Sequence, residues 1–401
     1  MKIMPTGSVF TWLFEMFSEW GIDMRKYWIA AVIFFCILLP SVKVSAQEKD
    51  RDQRLISELE LQKADEFLAK EENVDHFSIQ QYVTDVLKGK EEFSFKLIGK
   101  QLMGYMEDQI DRQKSTLLRI LALGIFAGIF VHFAGTIGDR ELGETGFYVV
   151  FLLLTGLVSS GFYIAYQIAQ DALNQLVDFM KVLVPSFSLA LCYGGGTHTS
   201  LLFYETMLVI MGLLEMIMGS ILLPGVQIFF FLNIVNQLAE HRFSRLTGLI
   251  GSALRWSVKI LFAVLIGYQG VQGLLVPVMD RVRNNAVWQT AKGMPGIGNT
   301  VGGVMDTILG SGVLIKSAVG VGGVLGILIL CLYPLIKLLL YTVMYKIGGA
   351  LIQPVSDRRI IVVLQSAAAS GKILLGYVLA GALMFILSIT IVLVSTNMTS
   401  M

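Results

Sequence analysis

Charge is scarce in this chain. Of its 401 residues only 15% are Asp, Glu, Lys or Arg, against 55% hydrophobic, and the net charge is +1. Soluble globular chains carry roughly 25% charged residues, so the deficit excludes an ordinary water-soluble domain along most of the length. A nucleic-acid surface needs a basic stripe; none is present, and no nucleic-acid partner is expected. Cysteine is scarcer still. Cys36, Cys192 and Cys331 sit apart, each inside an apolar run, which excludes a disulfide framework and a thiolate metal site. The histidines His76, His132, His198 and His241 show no ligand spacing; His132 lies in an apolar run, where hydrogen bonding between helices is its expected use. No metal or other cofactor is expected. A Ser/His/Asp set, HExxH and a carboxylate pair with a base are also missing, so no catalytic residue is assigned and the chain is not expected to be an enzyme.

One further absence decides a motif. Residues 293–300 read GMPGIGNT, the spacing of a phosphate loop with Asn299 where the lysine belongs. That lysine carries the charge that reaches the β- and γ-phosphates, and the loop must follow a strand. Here it follows the polar stretch Asp280–Lys292 and is flanked by apolar runs. The glycines are read as allowing backbone proximity, not nucleotide binding.

What the chain has in abundance is apolar runs. A bilayer core takes roughly 20 apolar residues in a helix. Candidate spans are 117–137, 147–169, 201–223, 256–277, 313–333 and 372–396, with weaker stretches at 172–192, 224–238 and 334–352. The expected fold is all-α: a polytopic helical membrane protein with seven or eight spans, within a range of six to nine. The loops 239–255 (Arg242, Arg245, Arg255) and 354–372 (Arg358, Arg359, Lys372) both bid for the cytoplasmic side. Both cannot be satisfied if every weak stretch crosses, so at least one is expected not to.

Ahead of the spans, Arg25 and Lys26 precede an apolar core from Tyr27 to Leu39, and Val44-Ser45-Ala46 offers small residues for cleavage. That core is short for a span, and residues 24–46 read as a signal peptide. Met24 is then the natural start, with residues 1–23 an over-long extension. Residues 47–116 are charged and helix-prone, with Ile79, Tyr82, Val83, Val86 and Leu87 at helical spacing, then Leu97, Ile98, Leu102, Met106 and Ile110. They are expected to lie outside the cytoplasm as a spacer or as a docking surface. Residues 117–401 form the membrane body.

Two stretches break the apolar pattern. DFMKVLVPSFSLALCYGGGTHTS (178–200) carries Lys181, Pro185 and Gly194, Gly195 and Gly196; KGMPGIGNTVGGVMDTILGSG (292–312) carries Pro295, Gly302 and Gly303. Gly/Pro-broken or re-entrant backbone at membrane depth survives only when buried in protein or lining water. Ionisable residues in spans cost roughly 2.5–3.5 kcal/mol each on insertion scales and mark function. Asp171, Asn174, Asp178 and Lys181 repeat at i, i+3, i+7 and i+10, one stripe of a helix. With Glu215, Asp306 and Lys316 they are candidates for a pathway or gate; ion pairing between helices is the alternative use. Glu205 is expected nearer a membrane surface. Ala367 to Gly371 offer small residues for close helix contact.

The ordered set GKEEFS, VPSFSLALCYGGG, TAKGMPGIG, MDTILGSGVLIKSAVG and GGALIQPVSDRRI, after a signal peptide, resembles the stage III sporulation protein AE family over roughly residues 24–397. The resemblance implies a multi-pass, permease-like membrane component of the secretion or feeding channel joining mother cell and forespore. Implied partners are other subunits of the sporulation stage III A complex, among them a secretion-type ATPase, ring-forming proteins and a forespore membrane partner. It implies no catalytic residues. A self-contained ion-coupled transporter and a purely structural scaffold remain alternatives.

Overall fold

A computed structural model describes residues 61–70, 78–87, 95–137, 140–239, 242–292 and 298–397, with side chains undescribed at 87, 95–103, 130–144, 272–309 and 397. All of these lie in one compact unit, Glu48–Met401. The signal peptide, the extension before it and Pro295 fall outside the described residues. Two short helices, α1 (Leu61–Ala69) and α2 (Ile79–Leu87), precede long ones: α3 (Phe95–Ile137), α4 (Arg140–Tyr193), α5 (Thr197–Leu213) continuing through a π-helical stretch (Leu214–Leu222) into α6 (Leu223–Leu238), α7 (Ser244–Lys292), α8 (Gly298–Ile352) and α9 (Arg358–Asn397). Among the described residues there is no strand.

The apolar stretches fall on six continuous rods: α3, α4, α5–π–α6, α7, α8 and α9. Boundaries expected near 170, 223 and 334 are absent. Residues 147–192 are one helix, 201–238 another, and 313–352 a third, each passing through its proline. The three weaker stretches are therefore continuations of longer helices, and the six rods stand at the low end of the expected range of six to nine. Five helices are long and apolar enough to cross a membrane among the residues searched. At 1.5 Å per residue α4, with 54 residues, is about 80 Å long. Helix α3 likewise passes residue 116 without a break.

Contacts fix the directions. Gly312 of α8 meets Tyr193–Gly194 of α4, Gly320 meets Phe187, Gly323 meets Leu183 and Gly326 meets Phe179, so these two rods are antiparallel. Gly371 against Tyr341 and Gly349 against Leu364 make α9 antiparallel to α8. Tyr377 Oη donates to the Leu254 carbonyl (3.2 Å) and Gln269 bonds Ser388, making α7 parallel to α9. Phe162 stacks on Phe230, Gly225 meets Leu254, and Tyr105 packs on Tyr333, which place α6 antiparallel to α4 and α7, and α3 parallel to α8. Successive rods alternate up and down, with α8 and α9 at the centre. The end of α6 with the start of α7, and segment 353–357, thus lie at one end of the bundle. The two arginine-bearing loops fit one side of a membrane without conflict, because the weak stretches do not turn back.

Helices α1 and α2 close on this body. Asp65 of α1 caps α2, accepting from Ser78 Oγ (2.6 Å) and from the amides of Ile79 (2.6 Å) and Gln80 (3.2 Å). Leu61, Ala64, Leu68, Ile79 and Val83 are buried. Phe67 packs on Phe179, and Ile79 sits over Gly322 and Gly326 of α8. The apolar face read as a docking surface is used within the chain. Burial there pushes the Tyr82 phenol above its usual range.

Candidate functional site

The stripe expected from spacing is a real face of α4. Asp171, Asn174, Asp178, Lys181 and Pro185 are all exposed along it, and the helix continues through Pro185. Proline costs a helix one amide donor, and here that loss falls on the exposed face, where packing does not suffer.

Spacing did not reveal where Lys181 reaches. Its ammonium donates to Asp178 Oδ1 (3.0 Å) on its own helix and to Glu215 Oε1 (2.8 Å) across the hairpin. Glu215 stands in the first turn of the π stretch. There Ser220 Oγ donates to the Glu215 carbonyl, five residues back, and the Leu223 amide donates to the Met218 carbonyl, again five back. The stretch ends beside Pro224, inside the first turn of α6. Inserted π turns often mark functional sites; this one carries the carboxylate that completes a Lys181–Asp178–Glu215 triad. All three side chains are about half exposed, at 51%, 55% and 53%. The triad faces outward from the bundle.

Heights along the bundle follow from the pairs above. Leu173 faces Gly381, and α9 is tied to α7 at Leu254 and Gln269. Asp178 is therefore level with Val264 of α7, to within about one turn. At that height α7 turns outward Ile260 and Val264, on a face shared with Leu249, Trp256 and Val271, all more than half exposed. One flank is dressed for lipid while another, equally high, carries ion pairs.

The two glycine-bearing stretches meet. The chain turns after Tyr193 through Gly194 and Gly195, whose φ of 83° is open to glycine and strained for other residues. The Gly195 amide donates to the Cys192 carbonyl (3.0 Å) and that of Gly196 to Leu191 (3.1 Å), closing α4. Gly312 abuts this turn: a Cβ there would overlap the Tyr193 carbonyl and lie 2.8 Å from the Gly194 nitrogen. Beyond the turn, Ser188 and Ser200 exchange hydrogen bonds across the hairpin (2.6–3.0 Å). Lys316, 1% exposed, lays its stem against Gly194. The negative end of the α4 dipole is close by, a favourable setting for a cation.

The predicted residues thus separate into two groups. Asp171, Asn174, Asp178, Lys181, Pro185 and Glu215 form the outward seam; Gly194, Gly195, Gly196 and Lys316 form the junction at the end of α4. Gly302, Gly303 and Asp306 lie on the first turns of α8, an unbroken helix, with the Asp306 side chain outside the described residues. Glu205 is exposed on α5 and joins neither group. Missed by spacing were Asp65, whose capping role spans 13 residues of sequence, and Lys259 on α7, 5.4 Å from the Trp256 ring centre; Arg255, expected in a cytoplasmic loop, stands instead within α7, three turns from its start.

The comparisons with known proteins point one way. The family described as Stage III sporulation protein AE matches residues 77–396. Stage III sporulation protein AE of Bacillus subtilis (strain 168) is 23% identical over 319 residues, covering 79% of this chain and 80% of that protein. No solved structure matches the chain.

Proposed function

The chain belongs to the stage III sporulation protein AE family, and from that premise we propose that it is a membrane subunit of a multiprotein conduit between mother cell and forespore. It sits in the mother-cell membrane around the forespore, with the arginine-bearing end cytoplasmic and α1 and α2, which meet Phe179 of α4 and Gly322 and Gly326 of α8, at the level of the seam. Its partners are the other stage III A subunits, among them a secretion-type ATPase and ring-forming proteins, and a forespore membrane partner. The observation that carries this reading is the position of the seam. A self-contained transporter gathers its ionisable groups inside the bundle, whereas Asp171, Asp178, Lys181 and Glu215 stand on the outer surface, level with the apolar face of α7. Exposed to acyl chains, each would cost roughly 2.5–3.5 kcal/mol. A surface of this kind suits a protein that forms part of a larger wall, its polar seam turned to neighbouring subunits or to the aqueous path. No group on it is arranged for covalent chemistry, and the role is permease-like and non-enzymatic.

The buried Lys316 favours the second reading, an ion-coupled transporter acting alone. Reconstitution separates the two. The purified chain in vesicles is expected to be inert under proton and sodium gradients. Sporulating cells carrying Lys181→Gln are expected to keep the protein in the membrane yet lose the function of the conduit. Gradient-driven uptake by the chain alone would overturn the proposal.

A further inference from the structure

The seam is not electrically balanced. Among the described residues, Asp171, Asp178 and Glu215 face outward against a single cation, Lys181, which both Asp178 and Glu215 share. Two negative charges stay unmatched, one at Asp171 and one spread over the Asp178–Glu215 pair. Seven residues separate Asp171 from Asp178, about 10.5 Å along the helix.

The same bundle holds two unmatched positive charges at that height. On α7, Arg255 and Lys259 make no ion pair among the described residues. The ties between α7, α9 and α4 put Arg255 level with Asp171, and Lys259 level with Asn174, one turn short of Asp178. With Ser252 they form a polar edge of α7 beside its lipid-like face, since 252, 255 and 259 share one side of a helix while 249, 256, 260 and 264 share another. Helix α9 packs against both α4 and α7, and the basic edge and the acidic seam lie on different rods, unpaired with each other.

We propose that the occupant of the seam is a second copy of this chain, presenting the α7 edge of one subunit to the α4–π seam of the next. Charge, height and orientation agree. Two cations meet two unmatched anions, and copies inserted the same way up in one membrane bring those groups to a common level without sliding. Seam-to-seam pairing would place like charges together. The contact is therefore heterologous, edge to seam, a type that generates rings or open rows. The lipid-like face of α7 stays outward, and the wall of the proposed conduit is continued by repetition of this subunit. This inference rests on the reading that the seam is turned away from lipid.

The test uses the full chain in which Cys36 and Cys192 are replaced by serine, with the buried Cys331 retained. Two differently tagged forms are co-expressed in one membrane, one carrying Ser252→Cys on the basic edge and the other Gln167→Cys, exposed one turn before Asp171 on the seam face and level with Ser252. Oxidation is expected to give a mixed-tag disulfide dimer. Reversing Arg255→Glu and Lys259→Glu in the first form should lower the yield at least about tenfold, since truncated charge pairs at interfaces cost several kcal/mol. Adding Asp171→Arg and Glu215→Arg to the second form should restore it. Absence of the mixed-tag dimer, a yield indifferent to reversal, or a double reversal that fails to rescue would each overturn the pairing. If copies stay unlinked while the chain alone remains inert and Lys181→Gln still abolishes conduit function, the pairing falls and the proposed function stands.

Discussion

Two glycines on one helix should respond to the same substitution with opposite signs. Gly310 and Gly312 lie two residues apart on α8. A Cβ at Gly310 meets nothing within 4 Å, so Gly310→Ala adds helix propensity at no steric cost, a gain of up to about 1 kcal/mol. A Cβ at Gly312 overlaps the Tyr193 carbonyl and crowds the carbonyl carbon and the Gly194 nitrogen, all backbone atoms. No rotamer relieves that clash. The end of α4 must move away by about 1 Å, which loosens dispersion contacts down the Phe187 and Leu183 seam. Overpacking costs typically 1–3 kcal/mol and more when backbone must shift, so Gly312→Ala should lose about 2–4 kcal/mol net of the propensity gain. The assay is equilibrium unfolding of the purified chain in detergent micelles, read by a donor–acceptor pair across α4 and α8. Equal stability of the two alanine variants would refute the close approach and, with it, the antiparallel register of α4 on α8.

Other expectations are narrower. Asp65→Ala removes three acceptor contacts at the start of α2 and should cost about 1–2 kcal/mol locally, read as faster proteolysis between α1 and α2 with the long rods intact. The raised Tyr82 phenol makes α2 docking strongest below about pH 10, the ordinary phenol value, and weaker as pH climbs from there through the folded value; Tyr82→Phe should abolish that alkaline release in hydrogen-exchange measurements. Lys181→Gln, at a half-exposed triad, should cost stability no more than about 1 kcal/mol while abolishing the channel's work in sporulating cells. A loss of folding large enough to explain the phenotype would argue for a purely structural pin.

The sequence made the all-helical membrane class plain, because apolar runs of span length admit little else. It also made the α4 stripe plain, since i, i+3, i+7 and i+10 spacing survives in any straight helix. Its partner was not legible: Glu215 lies 34 residues from Lys181, and only the hairpin and the π turns bring it round. The division of the apolar stretches into separate helices differs from the expectation for a physical reason. Hydropathy counts lengths of about 20 residues, whereas α4 and α8 run to 54 and 55, and Pro185 and Pro334 interrupt composition without interrupting the rods. The amphipathic pattern of α2 was visible, but not that Gly322 and Gly326 had cleared a place for Ile79 on the same chain. Contact between the two glycine-bearing stretches, Gly312 against the turn at Gly194, was not legible in composition.

The central claim is that the α4 seam faces protein or water while α7, at equal height, faces lipid. Nitroxides at Asn174 and at Ile260, in chain assembled in native membranes, test it through accessibility to dissolved oxygen and to a water-soluble nickel chelate. Asn174 should be shielded from oxygen, with Ile260 oxygen-rich and chelate-poor. If both sites report the same oxygen-rich, chelate-poor surroundings, the seam lies in acyl chains and the account is contradicted.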